Sequence, residues 1–147
     1  MNITLCGSIA FIDEMDAVRK ELESMGHTVE MPPLEVMDGE GKMIPVKEYY
    51  ALRKSVTDDT HWIWKKKTEV MRNYFDKVAR AEAILVCNHD KNGIAGYVGP
   101  NTLLEMGLAF HLRKPIYLLN PIPEISYKEE ILGMQPIVIS GDLKRIK

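Results

Sequence analysis

The feature that most restricts the fold of this 147-residue chain is a regular alternation of short apolar runs with amphipathic segments. The runs Ile3–Cys6, Ala83–Asn88 and Ile116–Leu119 are almost wholly apolar, without the polar alternation of a half-exposed strand. Such runs indicate strands covered on both faces. Segment 13–25 instead has apolar residues at spacings of three and four, which predicts a helix. Strands that alternate with helices favour a parallel sheet with helices on both sides.

We therefore predict one α/β domain over residues 1–147, with a flavodoxin-like, doubly wound sheet of five parallel strands. The strand order 2-1-3-4-5 is chosen from the preferences of this fold class. Two helices between strands 2 and 3, over residues 46–56 and 58–81, form an insertion, with Asp58 or Asp59 capping the second. Residues 34–45 contain two glycines and a proline and are predicted to be a loop.

Composition excludes several kinds of partner. The net charge of −2 gives no electrostatic reason to expect a nucleic acid polymer or an anionic membrane. No apolar run approaches the roughly 20 residues of a membrane span, and the N-terminus is predicted to be a strand, not a signal peptide. Cys6 and Cys87 fall in predicted strands, which fits a reducing cytoplasm. The four histidines show no ligand spacing, so we expect no metal.

Glu105 is the one carboxylate in the otherwise uncharged stretch GYVGPNTLLEMGLAF, and two explanations compete for it. Thr102-Leu103-Leu104-Glu105 matches a capping box, in which the acid closes the first turn of a helix. Alternatively, Gly93, Gly96 and Gly99 open the preceding loop to a ligand, and the acid serves as a nucleophile. A first-turn carboxylate is expected to stay ionised, because helix N-terminal amides favour its charge.

Three segments resemble the nucleoside 2-deoxyribosyltransferase superfamily, which includes the 2'-deoxynucleoside 5'-monophosphate N-hydrolases. They are CGSIA after the first strand, ARAEAILVCN, and GYVGPNTLLEMGLAFHLRKPIYLL with its E-x-G-x-A pattern at Glu105. The resemblance implies a flavodoxin-like fold, a homodimer or larger assembly, and cleavage of an N-glycosidic bond without metal or organic cofactor. Glu105 would attack the anomeric carbon of a small-molecule nucleoside or nucleotide.

The resemblance also suggests partners for Glu105. The family's second acid falls near Tyr74, which leaves Asp76 as the second catalytic candidate. Thr4 and Ala10-Phe11 depart from the pattern of the monophosphate hydrolases, so a 5'-phosphate on the substrate is left open. The candidates for substrate binding lie at the predicted strand ends and in the glycine-rich loop: Gly7, Ser8, Ile9, Asn88, Tyr97, Gly99, Asn101 and Thr102. Ser8 fits ligand binding and turn capping equally well.

The function predicted from the sequence is cleavage or transfer at the N-glycosidic bond of a (2'-deoxy)nucleoside or its 5'-monophosphate. One alternative is a phosphoribohydrolase-type enzyme, whose glycine-rich loop is loosely matched by VGPNT. Another is a nucleotide-binding or sensing module without turnover, in which Glu105 only caps its helix.

Segment 46–80 also predicts self-association. The segment carries more aromatic side chains than one sheet face can bury, and large apolar patches usually mark interfaces. Among these aromatic residues are Tyr49, Tyr50, Trp62, Trp64 and Phe75. The basic run Lys65–Lys67 in the same segment is predicted to be a solvated helix face.

Overall fold

The computed structural model describes all 147 residues, and the predicted sheet is present. The strands are β1 (Asn2–Cys6), β2 (Thr28–Glu30), β3 (Glu35–Met37), β4 (Met43–Pro45), β5 (Ala83–Val86), β6 (Ile116–Leu118) and β7 (Ile137–Val138). The helices are α1 (Ile12–Ser24), α2 (Val46–Ser55), α3 (Trp62–Arg80), α4 (Pro100–His111) and α5 (Lys128–Gly133). Short 3-10 turns span Ile9–Phe11 and Leu143–Arg145.

The main sheet has the order β2-β1-β5-β6-β7, and every neighbouring pair in it is parallel. Because β5, β6 and β7 are the third, fourth and fifth strands of this sheet, the predicted order 2-1-3-4-5 is confirmed. The predicted parallel pairing of the first, third and fourth strands is also confirmed, with Ile3 opposite Ala83 and Ile84 opposite Ile116.

Side-chain alternation along the strands divides the interior into two cores. Ile3 and Leu5 of β1 point to the face that packs with Met15 and Leu22 of α1. Cys6, Ile84 and Val86 point to the opposite face, where they pack with residues of α3, α4 and α5, including Val78, Met106 and Ile131. Covering both faces explains why these strands lack polar alternation.

The predicted loop over residues 34–45 is wrong in detail, because it contains the antiparallel hairpin β3–β4. Asp38 closes the hairpin turn by accepting hydrogen bonds from the backbone N–H groups of Glu40 at 2.8 Å and Lys42 at 2.9 Å. Such carboxylate-to-backbone bonds stabilise a tight turn from within. The insertion between β2 and β5 thus consists of β3, β4, α2 and α3.

The insertion has its own hydrophobic cluster. Six buried residues form it, drawn from the hairpin, the helices and the start of α1: Ile12, Val36, Ile44, Val46, Tyr49 and Ile63. α3 begins after His61, whose Nδ1 accepts a hydrogen bond from the N–H of Ile63 at 3.1 Å. The predicted caps Asp58 and Asp59 are therefore wrong, and Asp58 instead accepts bonds from Thr60.

Self-association remains a prediction, but the structure changes which surface supports it. Of the five aromatic residues named above, Tyr49 is buried and the other four are half-buried within the chain. Exposed apolar side chains lie instead on or just after α4, at Leu104, Phe110 and Leu112, and around the hairpin, at Leu34, Met37 and Met43. We expect light scattering at micromolar concentration to give at least twice the 16.8 kDa mass of one chain. A monomeric mass would contradict the prediction.

No helix is both long and apolar enough to cross a membrane.

Candidate active site

A cavity of about 240 Å³ opens beside the residues that follow β1. Gly7, Ser8 and Ile9 line it there, at the carboxyl edge of the parallel sheet where ligands bind in folds of this class. The loop before α4 and the first two turns of that helix line a second side. The insertion supplies the facing wall, with residues from β3, α2 and α3.

Glu105 lines this cavity from the second turn of α4. The helix begins at Pro100. Its N-cap residue is Gly99, which has no side chain and so makes no capping hydrogen bond. Thr102 is therefore already inside the helix, and the predicted capping box is wrong. Proline is favoured in the first turn because its missing N–H costs the helix nothing there.

The environment of Glu105 is apolar. Its side chain is only 3% exposed, and its buried Oε2 has no hydrogen-bond partner within the protein. Burial raises the pKa of Glu105 to about 8. The expectation of an ionised first-turn carboxylate is therefore wrong, because the group lies beyond the first-turn amides and is buried. Strongly perturbed acids in a cleft are candidates for function.

Two further buried groups lie near this carboxyl. Tyr74 of α3 lines the cavity, and its hydroxyl donates a hydrogen bond to the carbonyl of Leu5. Burial raises the pKa of Tyr74 and of Cys6 well above their usual ranges, and the charge of Glu105 raises both further. Both groups therefore stay protonated at neutral pH, and Glu105 is the one group of these three that titrates near physiological pH.

Lys91 connects the two sides of the cavity. Its Nζ donates to the hydroxyl of Ser8 at 2.9 Å and to the hydroxyl of Tyr50 at 2.6 Å. The same Nζ lies 5.2 Å from the centroid of the Tyr97 ring. Ser8 also accepts a bond from the N–H of Ala10 at 3.3 Å, so it both caps the following turn and faces the cavity.

The structure brings most of the predicted site residues together. Those that line the cavity are Gly7, Ser8, Ile9, Tyr97, Gly99, Asn101, Thr102 and Glu105. Asp76 does not line it, because its side chain is exposed on the outer side of α3. The side chain that α3 presents to the cavity is Tyr74, two residues earlier. Asp76 therefore lies outside the candidate active site.

Sequence reasoning missed the contribution of the insertion and of the loop lysine. The cavity is also lined by Tyr49, Tyr50, Arg53, Lys54, Lys67 and Lys91. Lys67 belongs to the run predicted to be a solvated face, yet it is half-buried at the cavity. One signal was available: Tyr49 and Tyr50 precede Arg53 and Lys54 by four residues, the helical spacing for stacking a cation on a ring.

Asn88 is fully buried and does not line the cavity; it organises the loops around it. Its amide nitrogen donates to the carbonyl oxygens of Gly96 at 3.3 Å, Asn120 at 2.9 Å and Pro121 at 3.2 Å. Its Oδ1 accepts from the N–H of Asn120 at 2.9 Å. The glycine is required at 96, because its φ is +67° and an added Cβ would lie 2.6 Å from the carbonyl oxygen of Pro121.

We expect Asn88→Ala to lower the free energy of unfolding by about 2–4 kcal/mol, because several buried backbone groups would lose their partner. Urea unfolding measures this loss directly. Asn73→Ala is the matched control, since Asn73 is exposed on α3 and its replacement should cost less than about 0.5 kcal/mol. A loss below about 1 kcal/mol for Asn88→Ala would contradict the structural role.

Solved structures of other proteins resemble this fold. One similar structure is a 2-deoxyribosyltransferase from the psychrotolerant bacterium Bacillus psychrosaccharolyticus, with a TM-score of 0.52 and 18% identity over 82% of this chain and 73% of that one. Another is the CMP N-glycosidase BcmB of Clostridium botulinum, with a TM-score of 0.49 and 16% identity over 94% of this chain and 85% of that one. No protein-family model and no curated protein matches the sequence.

The chain therefore has the α/β fold of a 2-deoxyribosyltransferase, and the predicted resemblance is confirmed at the level of the fold.

Proposed function

We propose that this protein is an enzyme that cleaves, or transfers at, the N-glycosidic bond of a (2'-deoxy)nucleoside or its 5'-monophosphate. The observation that carries the proposal is Glu105, a buried carboxyl group without a protein partner that faces a cavity at the carboxyl edge of the sheet. The fold that places it there is shared with a 2-deoxyribosyltransferase, and this supports the same type of chemistry.

In the proposed reaction, ionised Glu105 attacks C1' of the sugar while the bond from C1' to the base nitrogen breaks. The electron pair of that bond leaves with the base, and the sugar is held as a glycosyl ester of Glu105. Attack by water then releases the sugar, whereas attack by a second base completes a transfer. Either step restores the carboxylate.

The buried position of Glu105 serves this chemistry. Because no protein donor holds its buried Oε2, the carboxylate can approach C1' without breaking a hydrogen bond within the protein, and it also stabilises positive charge developing on the sugar. A 2'-deoxy sugar forms this oxocarbenium-like state more readily, because it lacks an electron-withdrawing hydroxyl. We therefore favour a 2'-deoxy substrate.

The proposal predicts a pH profile with a definite sign. Because the nucleophile must be ionised and the pKa of Glu105 is about 8, kcat/KM for a free nucleoside should rise with pH and level off above about 8. Initial rates of base release between pH 6 and 9.5 would show this. A nucleoside is the appropriate substrate because it has no titrating phosphate. A rate that falls above pH 8 would instead indicate that protonated Glu105 is a general acid.

The test of the function itself is mass spectrometry of a nucleoside and nucleotide panel incubated with the protein. Released free base supports an N-glycosidic enzyme. Release from ribonucleoside monophosphates alone, with ribose 5-phosphate as the second product, would favour the phosphoribohydrolase type. Binding of a panel member without any released base would favour the non-catalytic sensing module.

A further inference from the structure

We propose that the insertion side of the cavity binds a phosphate group, so that a nucleoside 5'-monophosphate is preferred as substrate over the free nucleoside. The inference rests on the proposed function of the cavity and narrows it. It is carried by four cationic side chains at the cavity, which we call the basic wall: Arg53, Lys54, Lys67 and Lys91.

Three of these cations surround a single tyrosine. The guanidinium carbon of Arg53 lies 5.2 Å from the centroid of the Tyr50 ring, and the Nζ atoms of Lys54 and Lys91 lie at 5.3 Å and 5.0 Å. Their positive charges are thus concentrated around one ring in the cavity lining. A ring face offsets part of this charge but is far weaker than an anion.

None of the four cations has a carboxylate partner. The ion pairs of the structure use Arg19, Lys20, Lys47, Lys66, Arg80 and Lys128. Lys66 pairs with Glu69, whereas Lys67 beside it turns toward the cavity unpaired. Burial lowers the pKa of Lys67, and repulsion from Arg53 and Lys54 lowers it further. Like charges gathered at a partly buried site are unfavourable unless an anion binds among them.

The donors available match a phosphate dianion. Arg53 offers a planar fork suited to two phosphate oxygens, and lysine ammonium groups serve as point charges. Lys91 uses two of its three N–H donors on Ser8 and Tyr50, which leaves one for a ligand. These groups come from other parts of the chain than Ala10 and Phe11, which depart from the pattern of the monophosphate hydrolases.

The charge distribution also sets the orientation of the substrate. The acid that lines the cavity, Glu105, comes from α4, whereas Arg53, Lys54 and Lys67 come from the insertion. A nucleotide with C1' next to Glu105 would direct its 5'-phosphate to the basic wall. The opposite orientation would bring a phosphate against a buried, unpaired carboxyl group, which electrostatics disfavours.

The test compares binding of 2'-deoxynucleosides and their 5'-monophosphates to Glu105→Gln protein by isothermal titration calorimetry. The substitution stops turnover during the titration. We expect at least one monophosphate to bind about 30-fold or more tightly than its nucleoside, as several charge-assisted bonds imply. The ratio should fall as salt is raised, because screening weakens only the phosphate interaction.

Arg53→Met and Lys67→Met, each made in the Glu105→Gln background, should reduce that ratio to about 5-fold or less, with the change confined to the monophosphate. Lys65→Met in the same background is the matched control, because Lys65 is exposed two residues before Lys67 and does not line the cavity. It should leave the ratio unchanged. Melting curves of all variants verify that each is folded.

The outcomes separate this inference from the proposed function. Equal affinity for nucleosides and monophosphates, or binding of neither, overturns the phosphate site, even if wild-type protein releases base. A preference for the monophosphate that the basic-wall variants abolish supports the site, even if no base is released. In that last case the phosphate site stands and the N-glycosidic chemistry is wrong.

Discussion

Replacement of Glu105 by glutamine is expected to reduce the rate of base release at least ~10³-fold, which corresponds to more than ~4 kcal/mol in the activation barrier. Glutamine has nearly the same shape, but its amide cannot form the glycosyl ester with C1'. The predicted loss is therefore chemical, and the binding of substrate should change little. Single-turnover and steady-state assays of base release, together with calorimetric binding, measure the two effects separately.

A matched control for this substitution is Glu21→Gln. Glu21 is exposed on α1, away from the cavity, so the same chemical change should leave turnover within about twofold of wild type. Asp76→Asn is informative in another way, because the sequence suggested this acid and the structure places it outside the cavity. Full turnover in the Glu105→Gln protein would falsify the nucleophile assignment.

The same glutamine substitution should also change how stability depends on pH. In wild type, the unfolded chain ionises Glu105 near its ordinary pKa of 4.5, whereas the folded protein keeps the proton until about pH 8. The stability associated with the neutral carboxyl is thus complete below pH 4.5 and is lost as pH rises toward 8. This shift corresponds to roughly 5 kcal/mol at most. Glutamine does not ionise, so the variant lacks this dependence.

The measurement is urea unfolding of both proteins at several pH values between 4.5 and 8.5. The free energy of unfolding of Glu105→Gln minus that of wild type should increase by several kcal/mol, about 5 at most, over this range, and should be constant above it. Any cost of burying the extra amide donors is independent of pH and so cancels from the trend. A flat difference for Glu105→Gln would mean that the carboxyl is solvated in the folded protein.

The main sheet was predictable because its signal is local. The apolar runs of β1, β5 and β6 are covered on both faces, so their composition alone identifies them as internal strands. Their order followed from the preferences of the fold class. The hairpin β3–β4 was missed because each of its strands has only three residues, too few for a recognisable alternation.

The start of α4 shows where a regular motif misled the prediction. Thr102 and Glu105 have the spacing of a capping box, but Gly99-Pro100 is also a helix start and is the one the chain uses. The position of Glu105 in the cavity could be inferred, whereas its raised pKa could not. That shift comes from burial, which depends on α3 and β1 packing around the side chain.

The basic wall could not be predicted for a related reason. Charged residues on helices usually face solvent, and nothing near Lys67 in the sequence distinguishes it from its solvated neighbours. The spacing of Tyr49 and Tyr50 from Arg53 and Lys54 predicts stacking of cations on rings, but it does not place them at a cavity. Their orientation follows from how α2 and α3 pack against the hairpin. Asn88 was misassigned similarly, because a polar residue at a strand end fits ligand binding, but here it holds the carbonyls of neighbouring loops.

Parts of the cavity lining belong to separate cores. Glu105 is followed in α4 by Met106, which packs with the main sheet, whereas Tyr49 and its neighbours on the other wall pack in the six-residue cluster of the insertion. Substitutions in β3, β4 and α2 can therefore reshape what the cavity accepts while the carboxyl group of Glu105 stays in place. In proteins of this architecture, we expect new substrate preferences to arise mainly by sequence divergence between the second and third strands of the sheet.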